Sequence, residues 1–479
     1  MSDKGLKKKH RKIVVIVFFC LVISAGLSFF IINDKLQKAD MGAAVIYDMN
    51  GEEIERLDKA WTSGLASKSM IMNDIITDSI VRELYEELQA NGMSEEKIEE
   101  GLNLDGWKIY TTIDVELQDC LNQYYQDSSN FTATGKEMDW SEIPPSSMVI
   151  MDYRGCIRAI AGGSGQWGDV NRATNKLYQV GSTIKPVSIY APAVANKLIN
   201  YSTLCEDTPG NTVVRGKNIQ WPSNYDDHYD GQVTVAYALE TSKNTVPVNL
   251  GMQMGIDYIY KYLKNTYFSA LEDEKDKQLA ALALGYFERG ISLDELAASY
   301  EPFGNGGNYY SPAIYTKVID KDEKVIIKKS REPQKIMDKE TAYIMNRLLV
   351  NNVSGKDGIA SGAQIEGLEV AGKTGTVANE VTDVRKLFVG MTPEYIAGVQ
   401  VGYDEKDIPL PGDYKQPINI WQEFMGSIQP GIKEFEKSKE VIEKEFCEVT
   451  GKIKGEYCKE IQAGYYTKDN MPEICTECK

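Results

Sequence analysis

Histidine is scarce in this sequence, and basic side chains are outnumbered by acidic ones. Only His10 and His228 are histidines among the 479 residues, and only His228 lies in the body of the chain. A catalytic Ser-His-Asp triad is therefore disfavoured. The formal net charge is -17 although residues 1–12 are basic, so the remainder is strongly acidic. Such a body is a poor candidate for binding nucleic acid, and we expect no nucleic-acid partner. A solvated acidic surface explains the charge better.

A convincing signal-peptide cleavage site is also missing. Residues 13–32 form one uninterrupted run of apolar and small residues, and its length of 20 suffices to cross a bilayer. Basic side chains cluster before it, which places residues 1–12 in the cytoplasm and the rest of the chain outside. A cleavable signal peptide is the competing interpretation, but its apolar region is usually about 7–15 residues long. Because no Ala-x-Ala follows Ile32, we predict an uncleaved, single-pass transmembrane helix over residues 13–32 in the cell membrane.

The sequence contains eight cysteines, and their positions are uneven. Cys20 lies in the predicted membrane helix, whereas four cluster at the end of the chain, at Cys447, Cys458, Cys475 and Cys478. Outside the cytoplasm, disulfides are the default expectation. A four-thiolate zinc site is the weaker alternative, since Cys475 and Cys478 have ligand spacing but the earlier gaps are wide. The connectivity of disulfides cannot be derived from a sequence.

Internal repeats and long Pro- or Ser-rich linkers are not visible either. Predicted strands and helices are mixed without a repeating β-α-β period, which favours an α+β fold over a doubly wound sheet. We expect a stalk or linker at residues 33–106 and a main domain at residues 107–428. Beyond Pro430-Gly431 we expect a tail, residues 429–479, with a charged helix over residues 434–445 and the cysteine-rich end.

Apolar periodicity and turn residues predict the individual elements. Helices are predicted over residues 74–89, 182–197, 233–251, 293–300 and 341–350. Strands are predicted over residues 43–47 and 107–113, and hairpins over 148–160, 314–328 and 387–401. Asp114 is expected to cap the helix that follows the second strand.

One short stretch, Val180-Gly181-Ser182-Thr183-Ile184-Lys185-Pro186, has the residue types of a nucleophile turn. A serine hydroxyl is a poor nucleophile until a neighbouring base takes its proton. If a helix begins near Ser182, Lys185 lies one turn away on the same face. Proline is tolerated in a first helical turn, and Gly181 permits a sharp bend before it. The spacing alone is weak evidence, because Ser94-Glu95-Glu96-Lys97 shares it and is typical of an ordinary helix start.

Two further motifs follow Ser182 in order, Ser242-Lys243-Asn244 and Lys373-Thr374-Gly375-Thr376. Ser-x-Asn by itself is weak, since Ser128-Ser129-Asn130 also fits but precedes Ser182. The ordered trio is strong, because closely similar motifs mark penicillin-binding proteins and class A β-lactamases.

The flanking residues extend the match. They include Asn171-Arg172-Ala173, Ala238-Leu239, Ala283-Leu284-Gly285, Phe388-Val389-Gly390 and Gly402-Tyr403-Asp404. From about Trp107 to Ile428 the chain closely resembles the transpeptidase domain of penicillin-binding proteins, in its class A form. The resemblance implies a serine penicillin-recognising (β-lactamase/transpeptidase-like) fold, an antiparallel sheet flanked by helices, after one N-terminal transmembrane helix.

The resemblance also implies a role for each motif residue in acyl transfer. Ser182 would attack the carbonyl between the last two D-alanines of a peptidoglycan stem peptide. Lys185 would act as a neutral base, because burial and the charge of Lys373 both lower a lysine pKa. Ser242 would relay a proton to the leaving amine, and Asn244 would hold Lys185 or the substrate amide.

The third motif would bind the substrate. Lys373, Thr374 and Thr376 resemble strand residues that bind the terminal carboxylate, and Gly375 would let the substrate lie close to that strand. The backbone N–H groups of Ser182 and Thr376 would form the oxyanion hole. The resemblance implies no metal and no cofactor. Its implied partners are stem peptides, β-lactam antibiotics that acylate the same serine, and the membrane.

The sequence departs from the family pattern in several places. Class A proteins carry a glycosyltransferase domain before the transpeptidase, and residues 33–106 are too few for one. We therefore expect a monofunctional D,D-transpeptidase that works beside a separate glycosyltransferase. Leu387 and Gln400 stand where the family often has tryptophan. The acidic stretch Asp226-Asp227-His228-Tyr229-Asp230 is better explained as a polar loop near the site than as a metal cluster.

Other functions keep the same three motifs. A D,D-carboxypeptidase would use water as the acceptor. A β-lactamase would need a device for fast deacylation, and no Glu-x-x-x-Asn type loop lies between Ser242 and Lys373. A non-catalytic penicillin-sensing or scaffold domain would only bind in the pocket.

Overall fold

The computed structural model describes residues 42–57, 72–168, 170–214, 217–379, 381–405, 407–428 and 431–479. The predicted cytoplasmic tail at residues 1–12 and the membrane helix at residues 13–32 lie outside this range. Among the residues that are described, no helix combines the length and the apolar character needed to cross a bilayer.

The described strands and helices are numbered in chain order. The strands are β1 (Val45–Tyr47), β2 (Glu53–Arg56), β3 (Lys108–Thr111), β4 (Ser146–Asp152), β5 (Ile157–Ala161), β6 (Leu204–Asp207), β7 (Gly210–Val214), β8 (Lys217–Trp221), β9 (Gly231–Thr234), β10 (Asn308–Tyr309), β11 (Tyr315–Ile319), β12 (Val325–Lys328), β13 (Gln334–Lys335), β14 (Ala371–Ala378), β15 (Asp383–Met391), β16 (Tyr395–Gly402), β17 (Val441–Cys447) and β18 (Ile461–Thr467). The α-helices are α1 (Met72–Ala90), α2 (Glu95–Asn103), α3 (Val115–Gln126), α4 (Ala191–Ala195), α5 (Val235–Glu240), α6 (Thr245–Met254), α7 (Ile256–Thr266), α8 (Leu279–Leu284), α9 (Leu293–Ala298), α10 (Lys339–Ser354) and α11 (Pro417–Ser427).

The described residues form two compact units. The first unit contains residues 42–57, Arg82–Thr111 and Thr316–Lys328. Its sheet has the strand order β12-β11-β3-β1-β2, with β1 parallel to β3 and antiparallel to β2. The predicted hairpin at residues 314–328 is therefore confirmed as β11 and β12. Its pairing with strands that precede it by about two hundred residues was not predicted, because no local pattern encodes so distant a partner.

The second unit is built on a five-stranded antiparallel sheet. Its strand order is β14-β15-β16-β4-β5, so that β14 lies at an edge. Side chains alternate between the faces of a sheet, and Phe388, Val399 and Ile150 share one buried cluster with Trp421 and Phe424 of α11. α3 packs on β5, and α9 packs on β16 and β4. The predicted α+β class, with an antiparallel sheet flanked by helices, is confirmed.

Asp114 caps α3 as expected, because its carboxylate accepts a hydrogen bond of 3.1 Å from the backbone N–H of Leu117. An N-cap residue satisfies one of the donors left free at a helix start.

The predicted helix over residues 434–445 is wrong. The segment instead leads into β17, which pairs antiparallel with β18 along its whole length, from Val441 opposite Thr467 to Cys447 opposite Ile461. Its many Glu and Lys residues have good helix propensity. Burial of Phe446 and Cys447 against the partner strand overrides that local preference.

Candidate active site

Ser182 lies on a tight turn that is pressed against strand β14. Gly181–Ile184 form a 3-10 turn, and Pro186–Tyr190 continue as a π-helical turn into α4. Gly181 has φ +56, and a Cβ added to it would lie 2.4 Å from the carbonyl oxygen of Thr376. A side chain there would be excluded both by sterics and by conformation. The predicted helical segment after Ser182 is present, with 3-10 and π turns at its beginning.

Lys185 is completely buried beside this turn. Its Nζ donates hydrogen bonds to the backbone oxygens of Ser242 and Lys243, both at 2.9 Å, and to Asn244 Oδ1 at 2.7 Å. Burial, followed by the positive charge of Lys373, holds the pKa of Lys185 well below its usual range. The lowered pKa makes Lys185 easier to deprotonate than a free lysine, and loss of one proton would leave a lone pair on Nζ that can accept a proton.

The Ser242 hydroxyl lies between two buried amines. Lys373 Nζ donates to Ser242 Oγ at 2.8 Å, and Lys185 Nζ lies 3.4 Å from the same oxygen. Burial lowers the pKa of Lys373 to about 7. Ser242 has φ +58, a left-handed conformation that is uncommon for a residue with a side chain. Strained backbone of this kind clusters at functional sites.

Asn244 is held by two hydrogen bonds, one from its side-chain amide and one from its backbone N–H. Its Nδ2 donates to the carbonyl oxygen of Ser223 at 2.7 Å, and its backbone N–H donates to Asn224 Oδ1 at 2.8 Å. With Nδ2 committed to a carbonyl, Oδ1 is the atom that faces Lys185. The first two motifs are therefore joined by direct hydrogen bonds.

Lys243, the middle residue of the second motif, has a supporting role that the sequence did not reveal. It is buried, and its Nζ lies 2.6 Å from Asp230 Oδ2 and 3.2 Å from Asp207 Oδ2. Burial alone would lower the pKa of Lys243, but these two carboxylates raise it above its usual value. Asp207 also accepts hydrogen bonds from Thr245 and Asn224. The network holds the loop that carries Ser242 and Asn244.

There was some indication of Asp230 in the sequence, because this residue belongs to the acidic stretch at residues 226–230, which was predicted to be a polar loop near the site. His228 of the same stretch is mostly exposed, and its Nε2 lies 3.0 Å from Asp230 Oδ1.

Within the described ranges, the side chains that lie close enough together to hold a metal ion are those of Cys447, Cys458, Cys475 and Cys478. Disulfides were expected for these four, but the structure has them as free thiols.

The third motif lies on the edge strand β14, with its residues on alternate faces. Lys373 is buried and its Nζ contacts Ser242 Oγ, whereas Thr374 and Thr376 are partly exposed. A Cβ on Gly375 would lie 2.6 Å from the carbonyl oxygen of Val180 and 2.8 Å from Thr183 Cγ2. The glycine was expected to make room for a substrate. The structure shows that it makes room for the turn that carries Ser182.

A cleft of about 470 Å³ borders six of the predicted site residues, but its walls do not include the buried Lys185 and Lys373. Its walls include the predicted residues Ser182, Ser242, Asn244, Thr374, Gly375 and Thr376. They also include residues to which the sequence analysis assigned no site role, among them Tyr225, Tyr286, Leu387 and Ile418. An apolar rim around a few convergent polar groups is typical of a binding site for a small or peptide-like ligand.

Leu387 and Gln400, the two departures from the family pattern, lie opposite each other on β15 and β16. Leu387 is buried at the cleft wall. Gln400 Nε2 donates to Ser147 Oγ at 2.9 Å and to the Arg172 carbonyl at 3.0 Å. Both positions are therefore packed or hydrogen-bonded without tryptophan.

Known proteins resemble this chain over most of its length. A sequence profile described as the penicillin binding protein transpeptidase domain matches residues 146–409. Penicillin-binding protein 1A of Clostridium acetobutylicum is 34% identical over 360 residues, which are 72% of this chain and 43% of that protein. Penicillin-binding protein 1A of Clostridium tetani is 31% identical over 424 residues, 82% of this chain and 53% of that protein. The chain thus spans about half the length of these relatives.

Two solved structures have the same fold. Penicillin-binding protein 1A from Haemophilus influenzae has a TM-score of 0.64 at 19% identity, over 84% of this chain and 77% of that one. The PonA1 protein of Mycobacterium tuberculosis in complex with penicillin V has a TM-score of 0.61 at 23% identity, over 76% of this chain and 96% of that one.

Proposed function

Since this chain belongs to the penicillin-binding protein transpeptidase family, we propose that it is a D,D-transpeptidase that cross-links peptidoglycan stem peptides. It works through an acyl-serine intermediate on Ser182 and is acylated by β-lactams at the same residue. The observation that carries this proposal is the position of Ser242 Oγ, 2.8 Å from Lys373 Nζ and 3.4 Å from Lys185 Nζ, in the wall of the cleft that contains Ser182.

The proposed acylation step requires Lys185 to be unprotonated. Ser182 Oγ attacks the carbonyl carbon of the bond between the last two D-alanines, and neutral Lys185 accepts the hydroxyl proton. The C–N bond then breaks, and the proton passes through Ser242 to the leaving amine, so that D-alanine departs. Asn244 keeps the Lys185 amine in place during both transfers, as its 2.7 Å contact supports.

Strand β14 is proposed to bind the substrate. In the sheet that the described residues form, β14 is an edge strand, so the backbone groups on its outer side can pair with an extended peptide. Lys373, Thr374 and Thr376 would hold the terminal carboxylate. The N–H groups of Ser182 and Thr376 would stabilise the tetrahedral oxyanion, a contribution of roughly 3–4 kcal/mol per donor in a well-studied case.

Residues 13–32 would anchor the chain in the cell membrane, with the N-terminus in the cytoplasm and the catalytic unit facing the cell wall. The acceptor is the amine of a second stem peptide. The glycan strands would come from a separate glycosyltransferase.

Product analysis tests the proposed reaction. The purified chain is incubated with lipid-linked glycan chains that carry pentapeptide stems, and the digested products are separated by mass. Cross-linked dimers are expected from the wild type and from Ser94→Ala, which alters the other Ser-x-x-Lys sequence, and none from Ser182→Ala.

Other products would contradict a transpeptidase. Monomers that have lost one D-alanine would indicate a carboxypeptidase, and rapid release of hydrolysed penicillin would indicate a β-lactamase. Unchanged stems together with stable penicillin labelling would indicate a sensing or scaffold domain.

A further inference from the structure

The four C-terminal cysteines converge from three separate parts of the tail. Cys447 ends β17, Cys458 precedes β18, and Cys475 and Cys478 follow β18. Their four Sγ atoms all lie within 4.8 Å of one another. Three of the four residues are buried, and Cys478 is partly buried.

The sulfur positions match a tetrahedral metal site. Zinc–sulfur bonds are about 2.3 Å long, so a regular ZnS₄ tetrahedron has sulfur–sulfur edges of about 3.8 Å. Cys447 Sγ lies 3.5 Å from Cys478 Sγ, and Cys475 Sγ lies 3.7 Å from Cys478 Sγ. In addition, the backbone N–H of Gly455 donates to Cys458 Sγ at 3.3 Å, a contact that stabilises a thiolate.

We propose that Cys447, Cys458, Cys475 and Cys478 bind one Zn²⁺ as a structural four-thiolate site. Four sulfur ligands fill a tetrahedral zinc and leave no open position, which is typical of a structural and not a catalytic centre. Binding forms four Zn–S bonds and releases the thiol protons to solvent, without any oxidation or reduction.

The surroundings explain why this tail would need a metal. The hydrophobic cluster at the centre of the hairpin consists of Cys447, Cys458 and Cys475, with Ile461 and Cys478 packed against it. So small a core contributes little hydrophobic stabilisation, and small folds of this kind usually depend on disulfides or metals.

Charged contacts bring the ligand loops together from outside. Lys452 Nζ lies 2.7 Å from Glu473 Oε1 and 2.6 Å from Glu477 Oε1. These two carboxylates lie on either side of Cys475 in the chain, and Glu477 directly precedes Cys478, whereas Lys452 follows the turn after Cys447. Because exposed ion pairs are weak, they position the loops but cannot replace a metal.

The tail is also attached to the transpeptidase unit. Ser202 Oγ donates to the Gly451 carbonyl at 2.6 Å, and Tyr466 OH donates to Ser202 Oγ at 2.8 Å. Gln462 Nε2 donates to Asn351 Oδ1 of α10 at 2.7 Å. Loss of the metal is therefore expected to lower the melting temperature of the whole unit.

The metal content of the full-length protein tests the proposal. The chain is expressed with its own N-terminal residues so that it follows its natural route, purified in detergent without chelators, and measured by inductively coupled plasma mass spectrometry. We expect one zinc per chain in the wild type and in Cys120→Ser, which removes an exposed cysteine outside the tail. Cys475→Ser and Cys478→Ser are expected to lose most of the zinc.

Two results would overturn the proposal, and neither depends on how the serine variants fold. One is a wild-type protein without metal in which peptide mapping finds disulfides among the four cysteines. The other is stoichiometric iron in place of zinc. Zinc content is measured without substrate or penicillin, so failure of this proposal is distinguishable from failure of the proposed activity.

Discussion

Two buried lysines that share one serine hydroxyl set the charge balance of the site. Both amines lie within 3.4 Å of Ser242 Oγ, in surroundings that disfavour charge. The pKa of Lys185 is lowered further by the charge of Lys373, so protonation of one amine opposes protonation of the other. The two groups therefore titrate as a pair.

This pairing predicts a bell-shaped pH dependence for the second-order rate constant of penicillin acylation. The rate falls at acid pH because Lys185 becomes protonated and can no longer accept the Ser182 proton. It falls above about pH 7 because Lys373, in the protein without bound penicillin, loses the positive charge that is proposed to attract the carboxylate of the substrate. The rate profile is measured with a fluorescent penicillin over the pH range in which the protein stays folded.

A charge-preserving substitution tests whether Lys373 causes the alkaline limb of the pH–rate profile. Lys373→Arg keeps a positive charge throughout, so the alkaline limb should move up by about one pH unit or more while the acid limb stays. Lys97→Arg, in the other Ser-x-x-Lys sequence, is the matched control and should leave both limbs in place. An alkaline limb that is identical in Lys373→Arg and wild type would contradict the assignment.

The motif residues could be predicted from the sequence because their residue types, and the order in which they occur, are those that acyl transfer on a serine requires. Lys185, Ser242, Asn244 and Lys373 are indeed joined by hydrogen bonds. The role of Lys243 could not be predicted, because its carboxylate partners come from β6 and from a loop, and nothing local in the sequence indicates which acids fold against it.

At the scale of elements, the site depends on how closely β14 approaches the turn at Ser182. Gly375 and Gly181 make the contact from opposite sides, and neither has space for a methyl group. Tyr300 OH donates a hydrogen bond of 2.5 Å to the carbonyl oxygen of Thr183, and this contact further stabilises the turn.

Substitution of Gly375 by alanine should separate these two elements. The added methyl group would meet the Val180 carbonyl at 2.6 Å, so β14 or the turn must shift. We expect a loss of stability of about 1–3 kcal/mol, measured by urea unfolding. We also expect acylation to slow by about tenfold to a hundredfold, because the carboxylate-binding strand moves relative to the nucleophile.

The control for this prediction is Gly412→Ala, whose added methyl group meets nothing within 4 Å. It should change neither stability nor acylation. Wild-type acylation in Gly375→Ala would mean that the approach of β14 to the turn does not matter for the reaction.

Elements with strong local patterns were predictable, and those decided by distant partners were not. The hairpin of β15 and β16 was predicted from two short runs, residues 387–389 and 396–401, that flank the turn at Thr392-Pro393. The helix predicted over residues 434–445 is the strand β17, because pairing with β18 outweighs the helix propensity of glutamate and lysine. The π turn at Pro186–Tyr190 has no sequence pattern that would have indicated it.

At the scale of the whole molecule, the chain combines two folded units with a predicted anchor that lies outside the described residues. The first unit draws on the segment before β3 and on the hairpin of β11 and β12. The sequence predicted that hairpin but not its partners, since strand pairing over so long a separation leaves no periodic signal.

Membrane anchoring is predicted to depend on the N-terminal segment. The full chain should stay in the membrane pellet after a carbonate wash, because about 20 apolar residues insert effectively irreversibly. A variant that lacks residues 1–41 should be released while still binding penicillin. Release of the full chain by the wash, or retention of the shortened one, would contradict the anchor.

The assignment of Ser182 as the nucleophile is tested most directly by the intact mass of the protein after exposure to penicillin, followed by peptide mapping of the adduct. We predict one penicilloyl group on the wild type and on Ser94→Ala, located at Ser182. We predict no adduct on Ser182→Ala when circular dichroism confirms that it is folded. An adduct on folded Ser182→Ala, or an adduct mapped to any other residue of the wild type, would contradict the assignment of Ser182 as the nucleophile.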